Sequence, residues 1–491
     1  MKQFLSMDKA IRDKYTAVIG LEIHAQLNTK SKAFSSDLNH YGSAPNTNVS
    51  PISLGHPGTL PRLNEKSIEH GILLGLACNS EITRYNEFSR KNYFYADLPK
   101  GYQITQFDTP ICTKGAVTIR LADGKTKDIG LTRIHIEEDS GKSIHDIDPF
   151  NSLVDLNRAG VPLLEIVTEP EIASADEAYE YLTEVRKLVR YLEICDGNME
   201  EGSMRCDANI SVMLNGAKEF GEKVEVKNMN SIRNVKRAID FEIGRQIELV
   251  EQGIEIASET RGFDATDGST LQMRGKEGTN DYRFFPEPDL LPYTVSDEQI
   301  KTIGDSMPTL PNALLKKYTQ EYGLSEYDAL NIIDSKEISQ YFNQVVTLTT
   351  HYKSAANWMM GEIKSHLNKF GITISDFQIA PSQIAEIIEL IASNKISHSS
   401  ASQKLFPALE DNPEQSPIAL AESLDLVQNS NVDELESVID TVFTNFPDET
   451  ARIKSGEMKL IGFFMGQIMK ASGGKADPKK TNQLLMKKIK S

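Results

Sequence analysis

Cysteine is scarce in this chain. Cys78, Cys112, Cys195 and Cys206 are its only four, and no two of them stand in a C-x-x-C spacing. That excludes a disulfide framework and a cysteine-paired zinc site, and it points to a reducing compartment, the cytoplasm. No apolar run approaches the ~20 residues that a membrane span needs. The opening MKQFLSMDKAIRDKY has no apolar stretch of the secretory kind. The common nucleotide fingerprints are missing too. There is no G-x-G-x-x-G, and Gly141-Lys142-Ser143 resembles the end of a P-loop whose first glycine should fall at Ile136. Any ATP site must therefore be of another type. No cysteine lies in a recognisable nucleophile motif and no Ser–Ser–Lys arrangement of the amidase kind is evident, so the chain should not generate ammonia itself.

What is present is a 491-residue chain, 39% hydrophobic and 25% charged, with a net charge of −17. The length suits about two to four domains. The charge is unevenly spread: residues 450–491 hold ten Lys/Arg against two Asp/Glu, leaving a body of −25 with a basic end of +8. Such an end can dock phosphates while the body stays in solution. Residues 16 to about 295 alternate in short segments between Gly and Pro, which reads as sheet. Two helices interrupt it. One covers 65–78 after the N-cap Asn64. The other covers 175–194 after Ser174, with Glu177 completing a capping box. Beyond the Pro-rich FFPEPDLLP (284–292) the pattern turns helical, with Pro308, Pro311 and Pro381 at helix starts. PALEDNPEQSP (407–417) reads as a loop or linker.

The strand candidates carry ionisable groups at period two. In VIGLEIHAQL (18–27), Glu22, His24 and Gln26 share a face opposite Leu21, Ile23 and Ala25. RCDANISV (205–212) puts Arg205 and Asp207 on one face, and KVEVKN (223–228) does the same with Lys223, Glu225 and Lys227. LTRIHIEED (131–139) offers Arg133, His135 and Glu137 on one face and Glu138 on the other, while PLLEIVTEP (162–170) sets Glu165 in an apolar strand. A sheet with one wet face accounts for any one of these. Five carboxylate-bearing strands ask for cations, because clustered carboxylates repel. Oxygen donors with a single His suit Mg2+ better than zinc. Arg90, Lys91, Arg133 and Arg205 are candidate phosphate partners.

Long blocks covering nearly the whole chain resemble the B subunit of aspartyl/glutamyl-tRNA amidotransferases. Among them are GLEIHAQL (20–27), SRKNYFYADLPKGYQITQ (89–106), RIHIEEDSGK (133–142), DLNRAGVPLLEIVTEP (155–170), EGSMRCDANIS (201–211), DYRFFPEPDL (281–290) and IGFFMGQIMK (461–470). The resemblance implies an α+β fold. A glutamine-synthetase-like sheet cradle (1–298) would precede an all-helical domain (299–411) and a small helical tail (412–491). It implies an ATP- and Mg2+-dependent ligase that phosphorylates the side-chain carboxylate of Glu-tRNA(Gln) or Asp-tRNA(Asn). Ammonia would come from an amidase (glutaminase) partner, the A subunit, with a small C subunit completing a heterotrimer. It assigns His24, Glu137 and Glu165 to a metal. Charge and facing add Glu22, Glu138, Glu200 and Asp207 for a second cation or the nucleotide, and Lys91 and Arg205 for phosphate. The tail would hold the tRNA body through Lys454, Lys459, Lys470, Lys475, Lys479 and Lys480. Many relatives carry zinc-binding cysteine pairs where this chain has Ser35, Asp37, Ser50 and Ser53. No zinc is expected here, and packing alone should hold that region. A free-standing ligase for a small amino acid and a non-catalytic tRNA scaffold are the alternatives. The basic tail speaks against the first and the carboxylate density against the second.

Overall fold

A computed structural model describes residues 8–145, 147–275, 282–428, 432–473 and 476–490. The chain divides into two compact units, one ending at Pro311 and one beginning at Asn312.

The first unit is a sheet backed by helices. Strand β1 (Tyr15–Gln26) lies at its centre, and α1 (Glu65–Ala77) follows. Next come β2 (Ser89–Asn92), β3 (Tyr102–Thr105), β4 (Thr126–Glu138), β5 (Pro162–Thr168) and α2 (Ala175–Tyr191). Then come β6 (Met204–Leu214), β7 (Val224–Lys227), α3 (Ile232–Glu251), β8 (Glu259–Asp264) and β9 (Ser269–Gly275). The spatial order is β9-β8-β7-β6-β1-β5-β4-β3-β2. Neighbours run antiparallel except β7 and β8.

Alternation does the sorting. Leu21, Ile23 and Ala25 of β1 are buried with Ile134, Ile136, Leu164, Ile166, Ala208 and Ile210 of its neighbours. Ile68 and Ile72 of α1, Leu182 and Val185 of α2, and Val235 and Ile239 of α3 join the same core. Each buried Ile, Leu or Val among them contributes ~1.5–3 kcal/mol, and the alanines less. With its apolar side covered, the sheet keeps the opposite face for polar groups.

Asn64 caps α1 by accepting from Lys66 N, and Ser174 caps α2 by accepting from Glu177 N. The capping box at α2 is modified, because the Glu177 carboxylate accepts from Ala173 N rather than from the cap residue. Helix α3 interrupts the region read as sheet and adds a third helix to the two expected there. Ser231 caps it, and Ile232, Val235, Ile239, Ile243 and Ile247 form its buried stripe. Helix α1 lies so close to the sheet that a Cβ on Gly75 would collide with Cys112 Sγ and stand 2.9 Å from Ile82 Cδ1. Gly75→Ala should therefore destabilise the protein by ~1–3 kcal/mol, despite a helix-propensity gain of ~1 kcal/mol. A lowered urea midpoint would show it; an unchanged one would mean that the strand backing the helix yields.

The second unit is helical. Pro381 starts the helix Pro381–Ala392, where Gln383 Oε1 accepts from Ala380 N at 2.8 Å. The stretch expected as a linker is partly ordered helix. Phe406–Asp411 is helical because Phe406 and Leu409, three residues apart, are both buried, and Pro417 opens the helix Pro417–Ser423. Gln428 N still bonds to Lys395 O. After residue 431 a separate core appears, built from Leu435, Ile439, Val442, Ile453, Phe464, Ile468 and Leu485.

Candidate functional site

The polar face of the central strands is a row of charges fixed by register. Antiparallel pairing sets His24 opposite Glu165 on one side and Arg205 on the other, and Glu165 opposite His135. Glu22 faces Asp207 across the same β1–β6 ladder. Two overlapping groups of possible ligand atoms result, Glu22–His24–Glu165 and His135–Glu137–Glu165, with Glu165 in both.

His24 Nε2 stands 3.3 Å from Glu165 Oε2, 3.6 Å from Glu22 Oε1 and 3.8 Å from Glu137 Oε1. His135 Nε2 is 3.5 Å from Glu165 Oε2 and 3.6 Å from Glu137 Oε2. The buried Nδ1 of His135 has no hydrogen-bond partner among the described residues. Burial alone would lower the His24 pKa, but Glu165 and then Glu137 outweigh it and raise it to about 9. Burial would raise Glu165, yet His135, His24 and Lys91 hold it below the usual carboxylate range. Burial and the neighbouring Glu165 charge push Glu22 up. A buried group of carboxylates that keeps an imidazole protonated is a field that a divalent cation would satisfy. The donors are hard oxygens with one or two imidazoles, which fits Mg2+.

Cations line the same cavity of about 540 Å³: Lys91, Arg205 and Lys227. The ammonium of Lys91 stands 5.1 Å from the centre of the Tyr282 ring. Arg205 donates to Asp139 Oδ2 at 2.8 Å, and Lys227 donates to Asp207 Oδ2 at 2.6 Å. Burial opposes the Lys227 charge, but Asp207 and Glu225 raise its pKa overall. Asp139, against its burial, is held low by Arg205 and Arg158.

Of the sequence-derived residues, His24, Glu137, Glu165, Glu22, Asp207, Lys91 and Arg205 line this one cavity. Glu138 does not. It points into a different cavity, pairs with Lys100 and accepts from Ile104 N at 2.9 Å, because successive strand residues face opposite ways. Glu200 is exposed on the turn whose Met199 and Gly202 touch the cavity wall. Arg90, a candidate phosphate partner, is committed to a bidentate pair with Glu287 at 2.7 and 2.8 Å. Asp139 and Lys227 stand outside the expected set and line the cavity; Asp139 continues the parity of His135 and Glu137, so the alternation pointed to it. His135 shares that face, and its alternation with Glu137 is the signal that marks it as a further ligand candidate.

Ser35, Asp37, Ser50 and Ser53 do converge. Asp37 Oδ2 accepts from Ser50 N and Ser50 Oγ, both at 3.0 Å, and from Ser53 Oγ, which lies 3.3 Å from Ser35 Oγ. Hydrogen bonds, and not packing alone, hold this region. In the tail, Lys454, Lys459, Lys470, Lys479 and Lys480 are exposed. Lys475 lies outside the described residues.

The sequence profile of a family described as the GatB/GatE catalytic domain matches residues 17–301. A second profile, described as the GatB domain, matches residues 340–489. A protein of Synechocystis sp. named as the B subunit of aspartyl/glutamyl-tRNA(Asn/Gln) amidotransferase is 48% identical over 488 residues, covering 97% of this chain and 98% of that protein. Proteins of the same name from Thermosynechococcus vestitus and Acaryochloris marina are 48% identical over 484 residues and 47% over 488. They cover 97% and 98% of this chain, and 96% and 98% of their own lengths.

Proposed function

Because the chain belongs to the B-subunit family of aspartyl/glutamyl-tRNA amidotransferases, we propose that its charged cavity activates the side-chain carboxylate of a misacylated tRNA. The reaction is ATP-dependent transamidation of Glu-tRNA(Gln) or Asp-tRNA(Asn), in a heterotrimer with an amidase and a small third protein, the A and C subunits. A carboxylate is a poor electrophile. Transfer of the γ-phosphoryl group of ATP to one of its oxygens gives an acyl phosphate and ADP. Ammonia from the amidase then displaces phosphate and leaves the amide.

The observation that supports this reading most is the convergence of Glu22, His24, His135, Glu137 and Glu165 from three adjacent strands beside Lys91, Arg205 and Lys227. Bound Mg2+ would neutralise phosphate oxygens and help orient them for in-line transfer. His24, Glu137 and Glu165 are the proposed metal ligands, with Glu22 and His135 completing the set around Glu165. Arg205 and Lys227 already sit in carboxylate-bonded positions, so their charges are oriented before phosphate arrives. Lys91 supplies a further positive charge against the aromatic wall. The residues of the tail after 431, with their exposed lysines, are proposed to grip the tRNA backbone. No described helix is long and apolar enough to cross a membrane, and the proposed place of action is the cytoplasm, where tRNA is charged.

Reconstitution with the amidase and the small partner tests the reading. ATP hydrolysis should be strongly stimulated by misacylated tRNA and should yield amidated aminoacyl-tRNA. Turnover on free glutamate would instead make the protein a small-molecule ligase, and no turnover at all would make it a scaffold.

A further inference from the structure

A second cavity, of about 330 Å³, lies in the same unit, and Gln26, Asn39, Tyr41, Lys142, Asn157 and Arg158 are on its wall. It shares a partition with the charged cavity. Gln26 faces the second cavity and donates to Asp139 Oδ2 at 2.8 Å, while Asp139 lines the first. Arg158 stands on the same partition, 3.7 Å from Asp139, and is anchored to Ser140 O at 2.9 Å. None of these groups is used in the carboxylate chemistry, yet the cavity's volume is in the range of small-ligand sites.

Its position sets a length. Gln26 lies two residues beyond His24 on the same face of β1, a rise of ~7 Å. An extended glutamyl group spans ~6 Å from its side-chain carboxylate to its ester oxygen at ordinary bond lengths. A substrate with its carboxylate beside Glu165 and its chain running along β1 toward Gln26 would bring its ester, and the ribose that bears it, to the partition between the two cavities.

Its chemistry fits a nucleoside. The Tyr41 ring is 70% exposed and has no ring partner among the described residues, which leaves a face for base stacking. Lys142 is exposed and has no ion-pair partner among the described residues, so it can meet a phosphate. Asn39 commits its amide nitrogen to Leu27 O at 2.9 Å and turns a carbonyl oxygen to acceptor work. Two acids share the wall. Asp155 is occupied by the N–H groups of Asn46 and Asn157, both at 3.0 Å. Glu201 is exposed and is placed to accept from a ribose hydroxyl rather than to meet phosphate.

We propose that this cavity holds the 3′-terminal nucleoside of the aminoacyl-tRNA, with its base on Tyr41 and its phosphate near Lys142. The proposal rests on the transamidase reading. Its ligand chemistry, a stacked nucleoside with phosphate, could also come from ATP. The ester span favours the tRNA end, since the triphosphate belongs beside Lys91, Arg205 and Lys227.

The test uses the whole heterotrimer carrying this chain as wild type, Tyr41→Ala, Tyr41→Phe or Lys142→Ala. Affinity is measured for deacylated tRNA, intact or trimmed of its 3′-terminal nucleoside, and KM is measured for ATP. The wild type and Tyr41→Phe should bind intact tRNA about tenfold more tightly than trimmed tRNA. Tyr41→Ala should bring that ratio close to one without changing the KM for ATP, and Lys142→Ala should lower it in part. A wild-type ratio near one, a ratio that survives Tyr41→Ala, or a raised KM for ATP with the ratio intact would each overturn the assignment. Failure of the transamidase reading looks different: the wild-type complex would not turn over misacylated tRNA, whatever stands at position 41.

Discussion

Glu165→Gln is expected to lower transamidation about 100- to 1,000-fold while leaving the chain folded and the partner's glutaminase activity in place. Glu165 is the residue common to both groups of possible metal ligands. It is 6% exposed and faces His24, His135 and Arg133 at once. Glutamine keeps the shape and one oxygen but loses the charge. The field that draws a cation, and that holds His24 protonated, weakens with it. The loss should appear in kcat and in the Mg2+ concentration needed for half-maximal rate, with little change in tRNA affinity. Circular dichroism would confirm the fold. Glu138→Gln is the informative contrast, because Glu138 is next in sequence to Glu137 but points into another cavity against Lys100. Its Mg2+ requirement should stay close to wild type. Near-normal turnover of Glu165→Gln would remove the cation site from the proposed mechanism.

Truncation after Gln428 should weaken tRNA binding at least tenfold at low salt and flatten its salt dependence. Each phosphate no longer engaged takes about 0.7–0.9 from the slope of log K against log salt. The cut falls there for a structural reason. Up to Gln428 the chain is tied to its own unit's earlier helices, through Gln428 N to Lys395 O and Ile418 N to Glu386 Oε1. A cut at 412 would strip the buried Leu420 and Ala421 from that packing. From Leu435 onward the side chains form their own core, so the truncation removes that core as a whole. Binding that keeps both its strength and its salt slope after this truncation would show that the exposed lysines only keep the tail in solution.

Local pattern made much of this legible. Period-two alternation placed Glu22, His24 and Gln26 on one face, and the caps Asn64 and Ser174 marked two helix starts. Helix α3 carries an equally regular apolar stripe, but it lies in a stretch whose glycines and strand-like neighbours suggest continuous sheet. Phe406–Asp411 is hidden by proline and charge, because its stability comes from burying Phe406 and Leu409 rather than from propensity.

By itself the sequence determined which side chains share a strand face, that no P-loop cradles phosphate, and that a basic segment ends an acidic chain. It left open which strands are neighbours. Pairing of β1 with β5 and β6, residues more than a hundred positions away, brings His24 between Glu165 and Arg205. That register also draws in His135, Asp139 and Lys227, and strand parity sends Glu138 through to the other side of the sheet. The reason is physical: alternation is a property of one strand, whereas a cation site needs oxygens within a few ångströms, and only pairing across long loops sets that distance.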